Sequence, residues 1–218
     1  MLRALAFMTV ASLASAAEPS AVCRVALVID DGPVPEHAQA FLDLLAEQDL
    51  HVTFAYVAQT AKAHPEVART VLAAGHEIAN HSFSHQHPDP LDDAALTREI
   101  VEGQRVLTEV FGIAPRWYWP PFLETDDRMP ALFAKAGLAR YVPRNFVSSD
   151  DWNREVGADE IERRATTNVT DGTVLLFHEW REETLERMPA ILAELKRQGC
   201  EFHTFSELAE ELRSSAGG

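Results

Sequence analysis

The strongest constraint on the fold is a regular alternation of short apolar runs with longer amphipathic runs. The run "CRVALVI" from residue 23 is followed by "EHAQAFLDLLAEQ", in which Phe41 and Leu45 fall at helical spacing. Further pairs follow, and the strongly apolar "GTVLLFHE" comes near the end. Alternation of this kind is typical of parallel strands joined by crossover helices. We therefore predict an α/β fold with about seven parallel strands and surrounding helices, either a (β/α) barrel or an open doubly wound sheet.

Length and charge limit the classes of function. The 218 residues include 46% hydrophobic residues, enough for one substantial core, so we expect a single folded domain. The formal net charge is −15 at pH 7. Such an acidic surface repels phosphate backbones, and we therefore expect no nucleic acid partner.

The first sixteen residues have the pattern of a targeting segment. "MLRALAFMTVASLASA" has one Arg near its start, an apolar middle, and small residues at Ala14 and Ala16. The pattern predicts a signal peptide over residues 1–16, with residues 17–218 as the exported domain, periplasmic or secreted. The alternative is a membrane anchor. The apolar run of about a dozen residues is shorter than the ~20 that a span requires, so we expect no anchor after cleavage.

The chain has two cysteines, Cys23 and Cys200. An even count in an exported protein favours a disulfide. The two residues begin the first and the last strand-like runs, so their sulfur atoms could meet if these strands are neighbours in a closed sheet. Two buried free thiols are the alternative.

Two adjacent carboxylates, Asp30 and Asp31, end the first strand-like run in "LVIDDGP". Both can stay ionised at a half-buried strand end only at a cost on the order of several kcal/mol, unless something compensates them. The carboxyl ends of parallel strands meet at one edge, where sites gather. Further polar and aromatic residues follow later strands and should lie at that edge: His81, His85, the "WPPF" turn, "DDW" and His178.

The two histidines of "NHSFSH" point to a metal site. His81 and His85 are four residues apart and would face the same way on one helical turn. With one carboxylate they would form a site of two imidazoles and one carboxylate, a common arrangement for hydrolytic Zn²⁺. A cation would offset the charge of one Asp and leave the other as a base. His87 is a competing ligand, although a His-x-His-Pro loop is more often solvated.

Five segments carry a resemblance to a known family. In order they are "VIDDG", "NHSFSH", "WPPF", "DDW" and "LLFHE". Together they resemble the motifs of the polysaccharide deacetylase family, the NodB-homology domain or carbohydrate esterase family 4, over residues 25–205. The resemblance implies a distorted (β/α) barrel, which agrees with the strand count reached from the alternation.

The resemblance also implies roles for individual residues. Asp30 would be the general base, His178 the general acid, and Asp151 the residue that orients His178. The implied metal ligands are Asp31, His81 and His85. It further implies that Trp152 would wall the pocket and that Leu176 would line it for an acetyl methyl group. We also expect Trp119, Pro121 and Phe122 to bind substrate. Aromatic side chains near Trp119 either stack on sugar rings or cap the core.

The implied reaction is hydrolysis of N-acetyl groups on amino-sugar polymers or oligomers of the chitin or peptidoglycan kind. It requires one divalent cation, Zn²⁺ with Co²⁺, Ni²⁺ or Mn²⁺ as alternatives, which polarises the amide carbonyl and lowers the pKa of water. Asp30 would take a proton from water, and His178 would protonate the leaving amine. A backbone N–H near Phe122 would help to stabilise the oxyanion.

The third motif departs from the family pattern of Arg-Pro-Pro, an aromatic residue and Gly. Trp119 stands in place of the Arg that pairs with the base, and Glu124 replaces a small residue. Ser148 stands where an Asp is common. Without a neighbouring cation the pKa of the base would rise. Three arginines are candidates for the space beside it: Arg116, Arg140 and Arg144.

Three functions are therefore weighed. The first is a metal-dependent N-deacetylase of amino-sugar polymers. The second applies the same hydrolysis to another amide, imide or ester. The third is a non-catalytic carbohydrate-binding protein, which the presence of both Asp30 and His178 disfavours. The expected partner is a carbohydrate substrate, and we expect a monomer.

Overall fold

The computed structural model describes residues 22–216. The predicted signal peptide, residues 1–16, lies outside the described residues. Within residues 22–216, no helix combines the length and the apolar character needed to cross a lipid bilayer.

Strands and helices alternate along the described chain, as the sequence predicts. The strands are β1 (Cys23–Gly32), β2 (Thr53–Tyr56), β3 (Glu77–Asn80), β4 (Trp117–Tyr118), β5 (Ala139–Arg140), β6 (Asn145–Ser148), β7 (Thr173–His178) and β8 (Cys200–His203). The helices are α1 (Pro35–Glu47), α2 (Ala58–Ala63), α3 (Pro65–Ala73), α4 (Asp93–Thr97), α5 (Gly103–Phe111), α6 (Met129–Ala136), α7 (Ala158–Ala165), α8 (Glu182–Arg197) and α9 (Phe205–Ala216). A π-helical turn (Arg98–Glu102) joins α4 to α5, and a 3₁₀ turn (Pro121–Leu123) follows β4.

The strands form one parallel sheet in the order β5-β4-β3-β2-β1-β7-β6, and β8 pairs with β1 outside this path. Residues 28–32 of β1 pair with β2, whereas residues 23–26 pair with β8. Within residues 22–216, no pairing joins β5 to β6, so the barrel does not close. The curled sheet is therefore a half-barrel. The predicted α/β fold is thus confirmed, with seven strands along one path and surrounding helices.

Alternation along β1 separates two apolar cores. Val25, Leu27 and Ile29 pack in the larger core, with buried residues of α1 and α8 such as Phe41 and Ile191. The alternate residues face the barrel interior, in a second core with side chains from β4, β7 and α9: Ala26, Val28, Trp117, Trp119, Val174, Leu176 and Phe205. Because a strand alternates its faces, the next inward position after Val28 is Asp30.

The helical segment before β4 begins at Asp92 and ends at Gly112, residue types that favour the two ends of a helix. The carboxylate of Asp92 accepts a hydrogen bond from the N–H of Ala95 at 2.8 Å, and Gly112 ends the segment at a φ of 72°. The segment is not α-helical throughout, because the π-helical turn interrupts it.

Packing and side-chain hydrogen bonds determine the course of the last two helices. Pro189 does not interrupt α8, since a missing N–H removes only one hydrogen bond and the neighbouring Met188 and Leu192 are buried. The N-terminal cap of α9 is Thr204. Thr204 and Glu207 exchange hydrogen bonds in a capping box, with the Thr204 N–H donating to Glu207 Oε2 at 2.8 Å.

Cys23 and Cys200 occupy paired positions of β1 and β8. Their Cα atoms lie 4.4 Å apart and their sulfur atoms are bonded. The bond joins the first and last strands across a sequence separation of 177 residues.

Candidate active site

A cavity of about 560 Å³ opens at the carboxyl ends of the strands. Five residues predicted at the ends of three strands line it: Asp30, Asp31, His81, His85 and His178. The other lining residues are Pro120, Phe122, Leu123, Phe146, Ser148, Trp152, Leu176 and Trp180. The parallel topology therefore brings the strand-end residues to one place.

The end of β1 directs the two carboxylates differently. Asp30 faces the barrel interior and is buried, whereas Asp31 has a positive φ of 66° and its carboxylate faces the histidines. Gly32 leaves no room for a side chain, because a Cβ atom there would lie 1.8 Å from Oε2 of the buried Glu179. Oε1 of Glu179 accepts a hydrogen bond from the N–H of Val34 at 3.2 Å, which holds the turn that follows Asp31.

His81 and His85 do not lie on a helical turn, which corrects the sequence prediction. The loop after β3 is irregular, and His85 has a positive φ of 59°. Side-chain oxygens supply the local hydrogen bonds instead. Asn80 Oδ1 accepts from the N–H of Ser82 at 2.8 Å, and Ser82 Oγ accepts from the N–H of His85 at 2.9 Å. The two imidazoles still converge, with ring centroids 4.9 Å apart.

The π-helical turn supports this loop from behind. Glu99, buried within that turn, accepts hydrogen bonds from the N–H of Ser84 at 2.8 Å and from its hydroxyl at 2.6 Å. Gly103 lets the helix approach, since a Cβ atom there would lie 3.0 Å from the backbone nitrogen of Phe83. The π-helical turn thus places Glu99 to hold the loop that carries both histidines.

Asp31, His81 and His85 could hold a metal ion, with ligand atoms all within 4.8 Å of one another. Oδ1 of Asp31 lies 3.4 Å from Nε2 of His81 and 3.1 Å from Nε2 of His85. Nδ1 of His81 donates to the carbonyl oxygen of Trp119 at 2.7 Å, so Nε2 presents its lone pair to the cluster. Among the atoms described, Oδ1 of Asp31 and Nε2 of His81 are buried without a hydrogen-bond partner. This donor set fits a divalent cation.

The electrostatics of the cluster favour positive charge. Burial raises the pKa of Asp31, but the neighbouring His81 and His85 outweigh it and hold the pKa well below its usual range. Burial lowers the pKa of His81, but the neighbouring Asp31 and Asp30 outweigh it and raise the pKa above its usual value. A cation beside Asp31 would therefore be stabilised.

A second group of possible ligands is Asp30, Asp31 and His178. A cation there would leave the buried Nε2 of His81 without a partner. It would also occupy both groups expected to transfer protons. Each group leaves one buried atom without a partner, Nε2 of His81 or Oδ1 of Asp30, but only the group with two imidazoles leaves Asp30 and His178 free to transfer protons.

Each of the two carboxylates receives an indole N–H. Nε1 of Trp180 donates to Oδ2 of Asp31 at 2.8 Å. Nε1 of Trp119 donates to Oδ2 of Asp30 at 3.3 Å, in a fully buried position. Sequence reasoning missed Trp180, although its place two residues after His178 put it at the right edge of the sheet.

Trp119 also explains what stands in place of the usual Arg. Its indole fills the space beside Asp30 that three arginines were candidates to fill. Arg116 lies over the ring of Trp117, with 4.6 Å from Cζ to the ring centroid, and Arg144 pairs with Asp171 at 3.4 Å. Arg140 is exposed on β5. A neutral donor thus replaces a cation beside the candidate base.

His178 is oriented by Asp151. Nδ1 of His178 donates to Oδ1 of Asp151 at 2.6 Å, and the backbone N–H of His178 donates to Oδ2 at 2.9 Å. The hydroxyl of Thr184 also donates to Oδ2 at 2.6 Å, so the buried carboxylate is well satisfied. Nε2 of His178 lies 3.5 Å from Oδ1 of Asp30, on the opposite side of the ring from Asp151.

Burial and neighbouring charges shift the pKa of both groups. Burial raises the pKa of Asp30 to about 6, although the charges of His178 and His81 oppose the rise. Burial lowers the pKa of His178, but Asp30 and Asp151 outweigh it and raise the pKa to about 9. At neutral pH the cavity therefore holds an ionised carboxylate beside an imidazolium, the states that a base and an acid require.

Some of the predicted substrate-binding residues line the cavity, and others are buried outside it. Phe122, Trp152 and Leu176 line the cavity. Trp119 and Pro121 are buried and lie outside its lining, because alternation along β4 turns Trp119 into the barrel. Pro120 takes the place expected of Pro121.

The competing ligand His87 lies outside the metal group. Its ring stacks on Phe122 at a centroid distance of 3.5 Å, and its Nδ1 pairs with Glu124 Oε2 at 3.0 Å. The imidazole of His87 is thus engaged at the rim of the cavity.

Comparisons with known proteins agree with this fold and site. The sequence model of the polysaccharide deacetylase family matches residues 18–141. A peptidoglycan-N-acetylglucosamine deacetylase of Bacillus cereus is 29% identical over 187 residues, covering 84% of this chain and 87% of the relative. A chitooligosaccharide deacetylase of a Bradyrhizobium species is 28% identical, covering 84% of this chain and 90% of the relative.

Solved structures give the same result. A family 4 carbohydrate esterase from Streptomyces lividans, in complex with acetate, superposes with a TM-score of 0.75 at 31% identity, over 83% of this chain and 92% of that one. The peptidoglycan deacetylase PdaC from Bacillus subtilis gives a TM-score of 0.80 at 25% identity, over 89% and 94%. The fold and the strand-end cluster define a hydrolase acting on C–N bonds other than peptide bonds. The chain belongs to the polysaccharide deacetylase family.

Proposed function

We propose that this protein is a metal-dependent hydrolase that removes N-acetyl groups from amino-sugar polymers or oligomers. The observation that carries the proposal is the position of Asp30 and His178 beside the Asp31–His81–His85 group in one cavity. The relatives named for peptidoglycan and for chitooligosaccharide support an amino-sugar substrate.

Asp31, His81 and His85 would hold the cation, with Zn²⁺ favoured by the two imidazoles and one carboxylate. A bound cation would polarise the amide carbonyl and lower the pKa of water. Trp180 keeps Oδ1 of Asp31 turned toward the imidazoles by binding Oδ2. The carbonyl of Trp119 keeps His81 in the tautomer that a ligand requires.

Proton transfer belongs to the groups outside the ligand set. Asp30, ionised and held by the N–H of Trp119, accepts a proton from the attacking water. His178 holds its proton on Nε2 because Nδ1 is bound to Asp151, and it delivers that proton to the leaving amine. Leu176, on β7 next to this pair, offers an apolar surface for the acetyl methyl group.

A second candidate is the same hydrolysis on a different amide, imide or ester. The observation that favours it is the replacement of the usual Arg by Trp119, which removes a positive charge beside the base. A non-catalytic carbohydrate-binding role is disfavoured by the complete set of proton-transfer groups, Asp30, His178 and Asp151.

We also infer that the protein is exported as one catalytic domain after removal of residues 1–16, and acts as a monomer. The bonded pair Cys23 and Cys200 supports an oxidising compartment. Mass spectrometry of the native protein would show a mature N-terminus at residue 17, and an intact N-terminus would refute the cleavage.

The test of the function is acetate release from N-acetylglucosamine oligomers by the metal-loaded protein, with a chelator-treated sample as control. We expect release that chelation abolishes and that Zn²⁺ restores. Asp30→Asn should lose nearly all turnover but keep the metal, whereas His81→Ala should lose both. Activity confined to other amides would support the second candidate. An active Asp30→Asn protein would overturn the assignment of the base.

A further inference from the structure

The mouth of the cavity is unusually apolar. Seven large apolar side chains are exposed within residues 22–216, and four of them line this one cavity. They are Phe122, Leu123, Phe146 and Trp152, which we call the apolar collar. The remaining three are scattered over the surface, where single apolar side chains are ordinary. A concentration of exposed apolar groups around one opening indicates a binding surface.

The cavity offers few hydrogen bonds outside its catalytic cluster. Beyond the carboxylates and imidazoles, its polar side-chain groups are the hydroxyl of Ser148 and the indole N–H groups of Trp152 and Trp180. Trp180 already donates to Asp31, and the Ser148 hydroxyl already accepts from the N–H of Asp150 at 3.0 Å. A pyranose ring carries several hydroxyl groups, and few side-chain partners remain here for those that lose water.

Two adjacent apolar residues at this mouth have strained backbone conformations. Phe122 and Leu123 have φ values of 56° and 58°, in the left-handed region that favours glycine. Phe122 has a packing reason for its ring, which lies between His87 and His85 with centroid distances of 3.5 and 4.5 Å. Leu123 is 37% exposed and lines the cavity. Strain that persists at an exposed position next to a catalytic cluster points to function.

We propose that the apolar collar is a subsite for an alkyl chain joined to the amino sugar whose acetyl group is removed. This inference rests on the proposed function and narrows its substrate class to amphiphilic amino sugars. The collar and the catalytic cluster line the same cavity, so one molecule can occupy both. Three of the four collar side chains are aromatic and offer apolar surface to an alkyl chain or to a sugar ring, whereas Leu123 offers only aliphatic carbon. The comparison of an alkyl glycoside with a disaccharide therefore decides the occupant.

The test compares three probes: the methyl and hexyl β-glycosides of N-acetylglucosamine, and N,N′-diacetylchitobiose. We expect kcat/KM for acetate release to be at least about tenfold higher for the hexyl than for the methyl glycoside, because several methylene groups leave water. We expect the gain to appear mainly in KM. For N,N′-diacetylchitobiose, kcat/KM should lie between the values for the methyl and the hexyl glycosides. Equal values for hexyl and methyl, or a preference for chitobiose over hexyl, would overturn the subsite.

Matched variants locate the effect. Leu123→Asn keeps the side-chain size and tolerates positive φ, so the hexyl-to-methyl ratio should fall below about three. Ile113→Asn, at an exposed apolar position outside the cavity, should keep the wild-type ratio. Leu123→Gly provides a second variant suited to the φ of 58°. A ratio that survives both Leu123 variants would contradict the proposal.

A binding measurement separates this inference from the proposed function. Calorimetry on Asp30→Asn should show tighter binding of the hexyl glycoside than of the methyl glycoside, with a more negative heat-capacity change. If no probe releases acetate but this difference persists, the proposed function fails and the subsite stands. If the methyl glycoside and chitobiose release acetate without any hexyl preference, the subsite fails and the function stands.

Discussion

The indole N–H of Trp180 binds one oxygen of Asp31, Oδ2, at 2.8 Å, while Oδ1 of the same carboxylate faces His81 and His85. This hydrogen bond therefore orients the carboxylate so that Oδ1 points toward the two imidazoles. Orientation of this kind commonly changes metal affinity.

Trp180→Phe keeps the ring but removes this hydrogen bond. We expect metal affinity to fall by about 10- to 100-fold, with a smaller effect on kcat at saturating metal. Competition with a chromogenic chelator measures the affinity. Trp152→Phe, at the exposed mouth of the cavity, is the control and should bind metal as the wild type does. Equal affinity in Trp180→Phe and wild type would show that the hydrogen bond does not position Asp31.

Trp119→Phe tests the donor to Asp30. Loss of one hydrogen bond to the ionised base should lower kcat by about tenfold. Metal content should stay unchanged, because His81 binds the main-chain carbonyl of Trp119 and not its side chain. The matched control is Trp117→Phe, since that indole also points into the barrel but donates to Ser206 Oγ at 2.9 Å. A Trp119→Phe enzyme with full kcat would refute the role.

The pH dependence of kcat/KM should be bell-shaped. The rate should rise as Asp30 loses its proton, at or below the pKa of about 6, because a bound cation adds positive charge nearby. It should fall as His178 loses its proton near its pKa of about 9. Asp151→Asn removes a charge that raises the pKa of His178, so the alkaline limb should move to lower pH. An alkaline limb unaffected by this change would exclude His178 as the acid.

His76 should make the fold acid-sensitive. Burial, and then the neighbouring His51, lower its pKa to about 4, and its Nδ1 accepts a hydrogen bond from the N–H of Val52 at 3.3 Å. Between about pH 6.5 and 4 the unfolded chain then binds more protons than the folded chain, so stability falls as pH falls. His76→Gln, which keeps an uncharged acceptor, should reduce the loss by about 3 kcal/mol at pH 4. Urea unfolding at pH 7 and pH 4 measures the loss of unfolding free energy in each protein. Equal losses in the wild type and in His76→Gln would refute this role of His76.

The fold was predictable because its signals are local. Strands β1, β2 and β7 are each a compact apolar run. Parallel topology alone places their carboxyl ends together. Asp30, Asp31 and His178 could therefore be assigned to one edge before any distance was known. The caps at Asp92 and Gly112 were predictable for the same reason, since each depends on a few neighbouring residues.

The hydrogen-bond partners were not predictable, because they depend on the register between distant strands. The contact of Trp119 with Asp30 requires β4 to turn its odd-numbered residues inward, and a two-residue strand carries too short a pattern to show this. Trp180 and Glu99 likewise act across 149 and 15 residues of sequence.

The loop of His81 and His85 shows a second limit. Spacing by four residues suggested a helical turn, but the side-chain oxygens of Asn80 and Ser82 accept hydrogen bonds from backbone N–H groups and favour a different backbone with residues at positive φ. The histidines converge in either case, so the ligand set could be anticipated while the local structure could not.

The central claim is that one cation binds between Asp31, His81 and His85. Anomalous diffraction from crystals of the Zn²⁺-loaded protein, recorded on both sides of the zinc absorption edge, tests it most directly. We expect one strong peak within coordination distance of these three side chains, at about 2.0–2.2 Å. A peak bound instead by Asp30, Asp31 and His178, or no peak in the cavity of a catalytically active crystal, would contradict it.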